Sequence, residues 1–488
     1  MKKRFYLLFL SVASILNTGC ATNPVTGNQD FVMVSEDQEI AMGRKANAQV
    51  LQRYTLYDDP ELQAYVQRVG RNLAEKSHRP NLIYRFHVLD STEINAFALP
   101  GGYIYITREL MAYLNSEAEL AAVLGHEIGH VTARHSVRQA SAAQMAGIGA
   151  TVAAIFLPQL RTQAGSQVVN ILGSALLSGY GRKHELEADR LGAEYLARAG
   201  YDPQAMLDVI RVLKNQEIFD RKLAKEEGRE PRRYHGLFAS HPDNDTRLKE
   251  VIAAANKFKA PGKTIRNREK YLTMLDGLVI GESAKEGVIR NNKFYHTVMG
   301  FALSFPKGWT IKNMPDRVVA IAPGGGAILQ LGAEDINRKI SPREFMIKRL
   351  GLKRLKAEGP IDPDGLTGYS AVAPIKTSFG IRDARFNVIY LDDKAFIIAG
   401  VVKESSQIPT YDRLFLESAK SFHRIRPSER EIAKPFHLKV IKAKPGMTIV
   451  QLARESAFPD HAEERLRLLN GLFPRGEITP GQLVKIVK

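Results

Sequence analysis

The sequence predicts a multidomain protein: a mainly α-helical domain with a small sheet at its edge, then an α+β domain, then a small βααβ unit. Three observations lead there. Through the first half of the chain apolar residues recur at helical spacing, as in Ile40, Val50, Leu62, Tyr65, Val66 and Val69. From residue 293 the pattern changes to short alternating runs (FALSFP, VVAIAP, AILQLGAE, RFNVIYL, KAFIIAGVV) with two helical stretches between them. And 488 residues exceed what one core ordinarily organises.

Composition narrows the class. Hydrophobic content of 44% and charged content of 25% are those of a globular protein and exclude a disordered or multi-span membrane chain. The net charge of +17 invites an anionic partner. No long basic run or recognition motif points to nucleic acid, so none is expected; the anions of a cell envelope suffice. The opening stretch MKKRFYLLFLSVASILNTGC supports that compartment. Lys2, Lys3 and Arg4 precede an apolar run from Phe5 to Leu16, too short to span a bilayer, and small residues lead to Cys20. The stretch resembles a bacterial lipoprotein signal. That resemblance makes 1–20 a signal peptide, Cys20 the lipidated residue and, with Ala21 after it, the outer membrane the anchor of a periplasmic protein. Asn17 stands where the pattern usually has leucine, with Leu16 one place further away. Cys20 is the only cysteine, so no internal disulfide can form.

The elements follow in order. Residues 36–76 read as helix, and YRFHVLDS (84–91) alternates as a strand. NAFALPGGYIYITREL turns at Gly101 and Gly102 before a second alternating run. Ser116 with Glu119 is a capping box, so a helix should begin there. Residues 145–177 are apolar and Gly/Ala-rich but interrupted by Pro158, Arg161 and Gln163, which suggests a buried or membrane-touching hairpin and not a span. RKHELEADRLGAEYLARAG reads as a helix ended by Gly200, with Asp202 and Pro203 opening another. Residues 222–235 are a charged surface loop. The resulting division is a first domain over 21–256, a polar and basic linker over 257–292, the α+β domain over 293–425, a second linker over 426–436 and the last unit over 437–488.

The chemistry concentrates in VLGHEIGHVTARH, residues 123–135. Side chains four apart share a helix face, so His126 and His130 can present nitrogens to one tetrahedral zinc ion. Glu127 is rotated aside, close enough to activate a water but poorly placed to ligate. The surroundings are apolar, where two buried unpartnered histidines would be costly. Gly129 costs about 1 kcal/mol against alanine inside a helix unless something approaches its backbone closely. His135 turns off the metal face. A third ligand is needed, and HELEADR offers His184, Glu185, Glu187 and Asp189. Glu185 and Asp189 share a face, so one can bind while the other orients a ligating histidine; Glu187 lies on the opposite side. We take Glu185 as the ligand.

Together, HEIGHVTARH and HELEADRLGA resemble the gluzincin metallopeptidases of the HtpX and CAAX-prenyl-protease family, in particular its soluble periplasmic lipoprotein branch. CATNPVTG, MVSEDQEIAMG and SHPDNDTRL fit the same branch, so the resemblance runs over residues 20–250. It implies His126, His130 and Glu185 as ligands of one Zn2+, Glu127 as catalytic base and Asp189 as the partner that orients a ligand. His241, in ASHPDNDTRL, would lie near the metal, as a fourth ligand or a transition-state contact. NAFALPGGYIYI resembles the family's substrate-side edge strand, which makes Asn95, Ala96, Phe97 and Ala98 the candidates for pairing with an extended peptide. The implied activity is cleavage of unfolded or misassembled envelope proteins.

FALSFPKGW with VVAIAP resembles the PsbP/Mog-like α+β domains, and Trp309 there reads as core. The C-terminal unit resembles a LysM domain through Gly446, Thr448, Asn470, Gly471, Pro480, Gly481 and Gln482, with Met447 where aspartate is usual. That likeness implies peptidoglycan as a partner; a unit that packs on its neighbours and binds no sugar is the other possibility. Two further readings stay open: a non-catalytic envelope scaffold held at the cell wall, and a metal hydrolase of cell-wall peptides.

Overall fold

The protein is described from a computed structural model that defines residues 20–32, 34–142, 180–226, 264–314, 317–377 and 380–488, with 231, 257, 258 and 262. Residues 1–19 of the expected signal segment, the hairpin expected over 145–177 and His241 lie outside the described residues. The chain forms two compact units, Met1–Ile280 with His437–Lys488, and Gly281–Phe436.

In the first unit, a hairpin of β1 (Cys20–Thr22) and β2 (Gln29–Phe31) leads to α1 (Glu36–Arg53), opened by a capping box of Ser35 and Gln38. The helix expected over 36–76 is two helices. α2 (Pro60–Ala74) starts afresh because Asp59 caps it and Pro60 fills its first turn, where a proline cannot donate backward into a preceding helix. β3 (Arg85–Leu89), β4 (Ala96–Leu99) and β5 (Tyr103–Thr107) form a sheet in the order β3-β5-β4, with β3 parallel and β4 antiparallel to the centre. The outer edge of β3 is closed by side chains. Gln63 accepts from the Val88 N–H at 2.9 Å and donates to the Val88 carbonyl at 2.9 Å, while Gln67 accepts from the Phe86 N–H at 3.0 Å. Two glutamines one helical turn apart thus occupy backbone groups that would otherwise invite another strand.

α3 (Arg108–Tyr113) follows β5 directly, and α4 (Glu117–Thr132) carries the HEIGH motif. Ser116 caps α4 by accepting from the Glu119 N–H, and the Glu119 carboxylate returns to the Asn115 N–H at 2.8 Å. Every residue of α4 is buried, as expected of a helix apolar on nearly all sides. β4, α5 (Arg182–Arg198) and α6 (Ala205–Glu226) surround it. α5 ends at Gly200, whose φ of +81° a residue with a Cβ adopts only under strain.

The stretch expected as a linker, 257–292, is largely structural. α7 (Arg268–Met274) packs on α4, and Tyr271, wholly buried, donates to the Met111 carbonyl at 2.8 Å. Its polar composition misled because the buried minority, Tyr271, Leu272 and Leu275, does the packing. β6 (Val279–Ile280) follows.

The second unit is built on strands. β7 (Val288–Arg290), β8 (Lys293–His296) and β9 (Phe301–Ser304) join β17 (His423–Arg424) in a four-stranded sheet, β17-β9-β8-β7. A seven-stranded antiparallel sheet runs β10-β11-β12-β16-β15-β14-β13. Its strands are β10 (Thr310–Met314), β11 (Arg317–Ile321), β12 (Ala327–Asp335), β13 (Lys356–Ile361), β14 (Gly368–Thr377), β15 (Gly380–Leu391) and β16 (Lys394–Val402). Alternation along β15 and β16 splits the core. Ile389 and Phe396 join Trp309 and Phe415 of α9 (Ile408–Lys420) on one face. Val388 and Ala395 join Phe345 of α8 (Pro342–Lys348) on the other. Trp309 is core.

The last residues fold in βααβ order: β18 (Phe436–Lys442), α10 (Ile449–Arg454), α11 (Ala462–Leu469) and β19 (Leu483–Val487). They belong to the first unit, because β6 completes their sheet in the order β19-β18-β6. Lys485, fully buried on β19, donates to the carbonyls of Ala112 at 2.6 Å and Leu114 at 2.7 Å, at the end of α3. Among the described residues no helix is long and apolar enough to cross a membrane.

Candidate metal centre

The site begins with a close helix crossing. A Cβ on Gly129 would meet the Ala188 carbonyl oxygen at 2.9 Å, and one on Gly192 would meet the His126 nitrogen at 3.0 Å. The missing side chains let α4 and α5 approach backbone to backbone. That contact carries Glu185 and Asp189 to His126 and His130.

His126, His130 and Glu185 are, among the described residues, the one group of three whose ligand atoms converge, all within 4.8 Å of one another. His126 Nε2 lies 3.0 Å from His130 Nε2 and 3.6 Å from Glu185 Oε2, and His130 Nε2 lies 3.5 Å from Glu185 Oε1. Ligand atoms about 2.0–2.1 Å from a tetrahedral ion stand roughly 3.3 Å apart, so this donor set fits zinc. All three side chains are buried, as is Glu127 beside His126. Asp189 Oδ1 lies 2.8 Å from His126 Nδ1, on the side of the ring away from the cluster. The reading of 184–190 therefore separates by geometry: Glu185 is with the histidines, Asp189 stands behind one of them, and neither His184 nor Glu187 joins the cluster.

Several neighbours were not legible in the sequence. His135 Nδ1 lies 2.8 Å from His130 Nδ1, and its Nε2 lies 3.1 Å from Glu187 Oε2. The Tyr180 ring stacks on His130, centroids 4.0 Å apart, with its hydroxyl on Ser136. The hydrogen bond from His135 holds the Glu187 carboxyl down to about 2, and burial pushes the His135 imidazole down to about 4. Only a repeated histidine at 135 could have signalled this, and five residues on a straight helix is the wrong face.

The edge-strand candidates lie next to α4. Thr107 donates its N–H to the Asn95 carbonyl at 2.9 Å, which sets the phase of the ladder. By alternation, Phe97 and Leu99 turn their backbone groups to β5, while Ala96 and Ala98 turn theirs outward. The buried Asn95 Oδ1 has no hydrogen-bond partner among the described residues.

Residues 60–255 match the model of Peptidase family M48. The beta-barrel assembly-enhancing protease of Yersinia pestis is 31% identical over 243 residues, 48% of this chain and 48% of that protein. The protein of the same name from Escherichia coli strain K12 is 30% identical over 255 residues, 51% and 50% of the two chains. The mitochondrial metalloendopeptidase OMA1 of Schizosaccharomyces pombe is 32% identical over 186 residues, 37% of this chain and 54% of that one. The chain thus spans about half the length of the curated relatives it matches. Among solved structures, cyanobacterial PsbP from Synechocystis is similar at 18% identity and a TM-score of 0.23, over 30% of this chain and 98% of that one. The Saccharomyces cerevisiae Ran-binding protein Mog1p is similar at 14% identity and the same TM-score, over 29% and 99%.

Proposed function

On the premise that the chain carries a peptidase M48 domain over residues 60–255, we propose that it is a zinc-dependent endopeptidase of the bacterial cell envelope that cleaves unfolded or misassembled envelope proteins. The observation that carries this is the buried convergence of His126, His130 and Glu185 with Glu127 on the same helix. In this reading the three converging side chains hold the ion and Asp189 fixes the ring of His126. Zinc would supply Lewis acidity toward the scissile carbonyl and toward the attacking water. Glu127 takes the proton of that water and delivers it to the leaving amine nitrogen.

The envelope assignment draws on the names of the relatives, which concern β-barrel assembly, and on the lipoprotein-like start, which would anchor the chain through Cys20 to the outer membrane facing the periplasm. An extended substrate would pair with the outward groups of Ala96 and Ala98 and present a backbone N–H to Asn95. Such pairing reads backbone more than side chains, which suits unfolded proteins. His241 keeps its proposed place as a contact near the metal. For residues 437–488 we favour a role inside the peptidase unit over sugar binding, because Lys485 is spent on carbonyls of α3.

The test pairs zinc analysis with digestion of an unfolded protein. Glu127→Gln should keep one zinc per chain and lose cleavage by about 10²- to 10⁴-fold; undiminished cleavage would sink the assignment. Purified sacculi as a second substrate separate a cell-wall hydrolase, and cleavage of neither substrate by the zinc-loaded parent supports a scaffold.

A further inference from the structure

The two histidines of the cluster are supported from behind in different ways. His126 meets a carboxylate directly, Asp189 Oδ1 at 2.8 Å from its Nδ1. His130 instead meets another imidazole: its Nδ1 is 2.8 Å from that of His135, whose Nε2 reaches Glu187 Oε2 at 3.1 Å. Arg138 Nη1 closes the chain on the same Glu187 oxygen at 3.2 Å.

We propose that His135 and Glu187 are positioning residues for His130, a carboxylate–imidazole–imidazole chain that fixes its tautomer and ring plane for metal binding. The proposal rests on the reading of His126, His130 and Glu185 as zinc ligands. Its hydrogens can run only one way if His130 Nε2 is to keep a lone pair for the ion. His130 carries its hydrogen on Nδ1 and donates to His135 Nδ1; His135 carries its own on Nε2 and donates to the Glu187 carboxylate. Reversed, the chain would place a hydrogen on His130 Nε2 and block the ligand atom.

This contact exists because the backbone departs from a helix. Residues five apart on a straight helix point about 140° away from each other. Arg134, at a φ of +55°, breaks the helix and swings His135 back onto His130. The left-handed conformation costs a non-glycine residue about 1–2 kcal/mol and persists only when surroundings enforce it. Here they do: Arg134 Nε lies 2.8 Å from Glu39 Oε2, and its Nη2 donates to the Val34 carbonyl at 2.9 Å. Glu39 is buried and also paired with Arg79 at 2.8 Å. Stacking then sets both rings, His184 on His135 at 4.3 Å and Tyr180 on His130 at 4.0 Å.

Two substitutions in the full chain separate hydrogen bonding from shape. His135→Phe keeps a ring and removes the acceptor; His135→Asn places a carbonyl oxygen where Nδ1 stood. Zinc affinity is read by competition with graded chelators, ligand geometry by the absorption bands of the cobalt-substituted protein, and folding by circular dichroism of the metal-free form. His135→Phe should weaken zinc by about 10- to 100-fold and shift the cobalt bands, and His135→Asn should restore both to near the parent. Undiminished affinity in His135→Phe overturns the proposal, as does His135→Asn failing equally while folded. Should His135→Phe not fold, Glu187→Gln carries the test: zinc is expected to weaken severalfold, and parental affinity would overturn the relay. A parent that binds no zinc overturns the zinc reading and the relay together. A parent that loses zinc in Glu185→Ala but keeps it undiminished in His135→Phe overturns the relay alone.

Discussion

Gly129 shows how one missing side chain positions a site. The backbone of Ala188 fills the space a Cβ would need, so α4 and α5 can cross only with hydrogen at that position. Gly129→Val should force the helices apart, destabilise the protein by about 1–3 kcal/mol as overpacking does, and weaken zinc through displacement of Glu185. Denaturant unfolding and chelator competition on the same sample check both effects; loss of stability with parental zinc affinity would mean that the crossing does not position the ligand. The sequence flagged this glycine as awaiting a close neighbour but could not say which. Proximity to Ala188 arises from residues far apart in the chain, which local periodicity does not encode.

At the scale of elements, the small sheet has one edge closed and one outer strand beside α4, which carries two residues of the candidate metal centre. Gln63 and Gln67 satisfy β3, which leaves Ala96 and Ala98 of β4 as the outward-facing backbone groups. If substrates pair there, peptides N-methylated at the amides that face β4 should be cleaved about tenfold less well per hydrogen bond lost, mostly through KM. Equal cleavage of methylated and parent peptides would exclude strand pairing. In the second unit, burial between Phe294 and Phe301 lowers the pKa of His296 to about 4. The unfolded chain therefore binds the proton first. Stability is complete above the ordinary histidine value near 6.5 and is lost as pH falls toward 4, by roughly 3 kcal/mol at most. His296→Gln should flatten the acid limb of the stability curve between those values; an unchanged limb would assign acid sensitivity to other groups. The alternating runs made these strands legible, whereas the break at Pro60 and the helix at 268–274 depended on which residues found a surface to cover.

For the whole molecule, residues 437–488 belong to the unit that carries the candidate metal centre. Burial pushes the Lys485 ammonium down and the Glu119 carboxyl up, and the Lys485 side chain donates to two carbonyls at the end of α3. Arg268 of α7 bridges the two, its Nη1 donating to the Asn115 carbonyl at 3.0 Å and its Nη2 to the Leu483 carbonyl at 3.4 Å. Lys485→Met keeps the stem and removes the donor, leaving two buried carbonyls short; it should cost about 2–4 kcal/mol and lower the urea midpoint of the unit that carries the candidate metal centre. Parental stability would make the tail an independent appendage.

The residues of the candidate metal centre were legible in local pattern. H-E-x-x-H needs only the 3.6-residue repeat of one helix to bring two imidazoles together, and the downstream HELEADR needs only the same repeat to pair Glu185 with Asp189. Capping at Ser116 and termination at Gly200 are equally local, and they appear where the residues say. The tertiary structure alone decided how α4 crosses α5, which residues stand behind His130, and where the tail belongs. Those depend on the left-handed turn at Arg134, on Glu39 nearly a hundred residues away, and on one lysine at the end of the chain. Each is a contact between distant segments whose free energy arises only when both are folded, so no local pattern announces it.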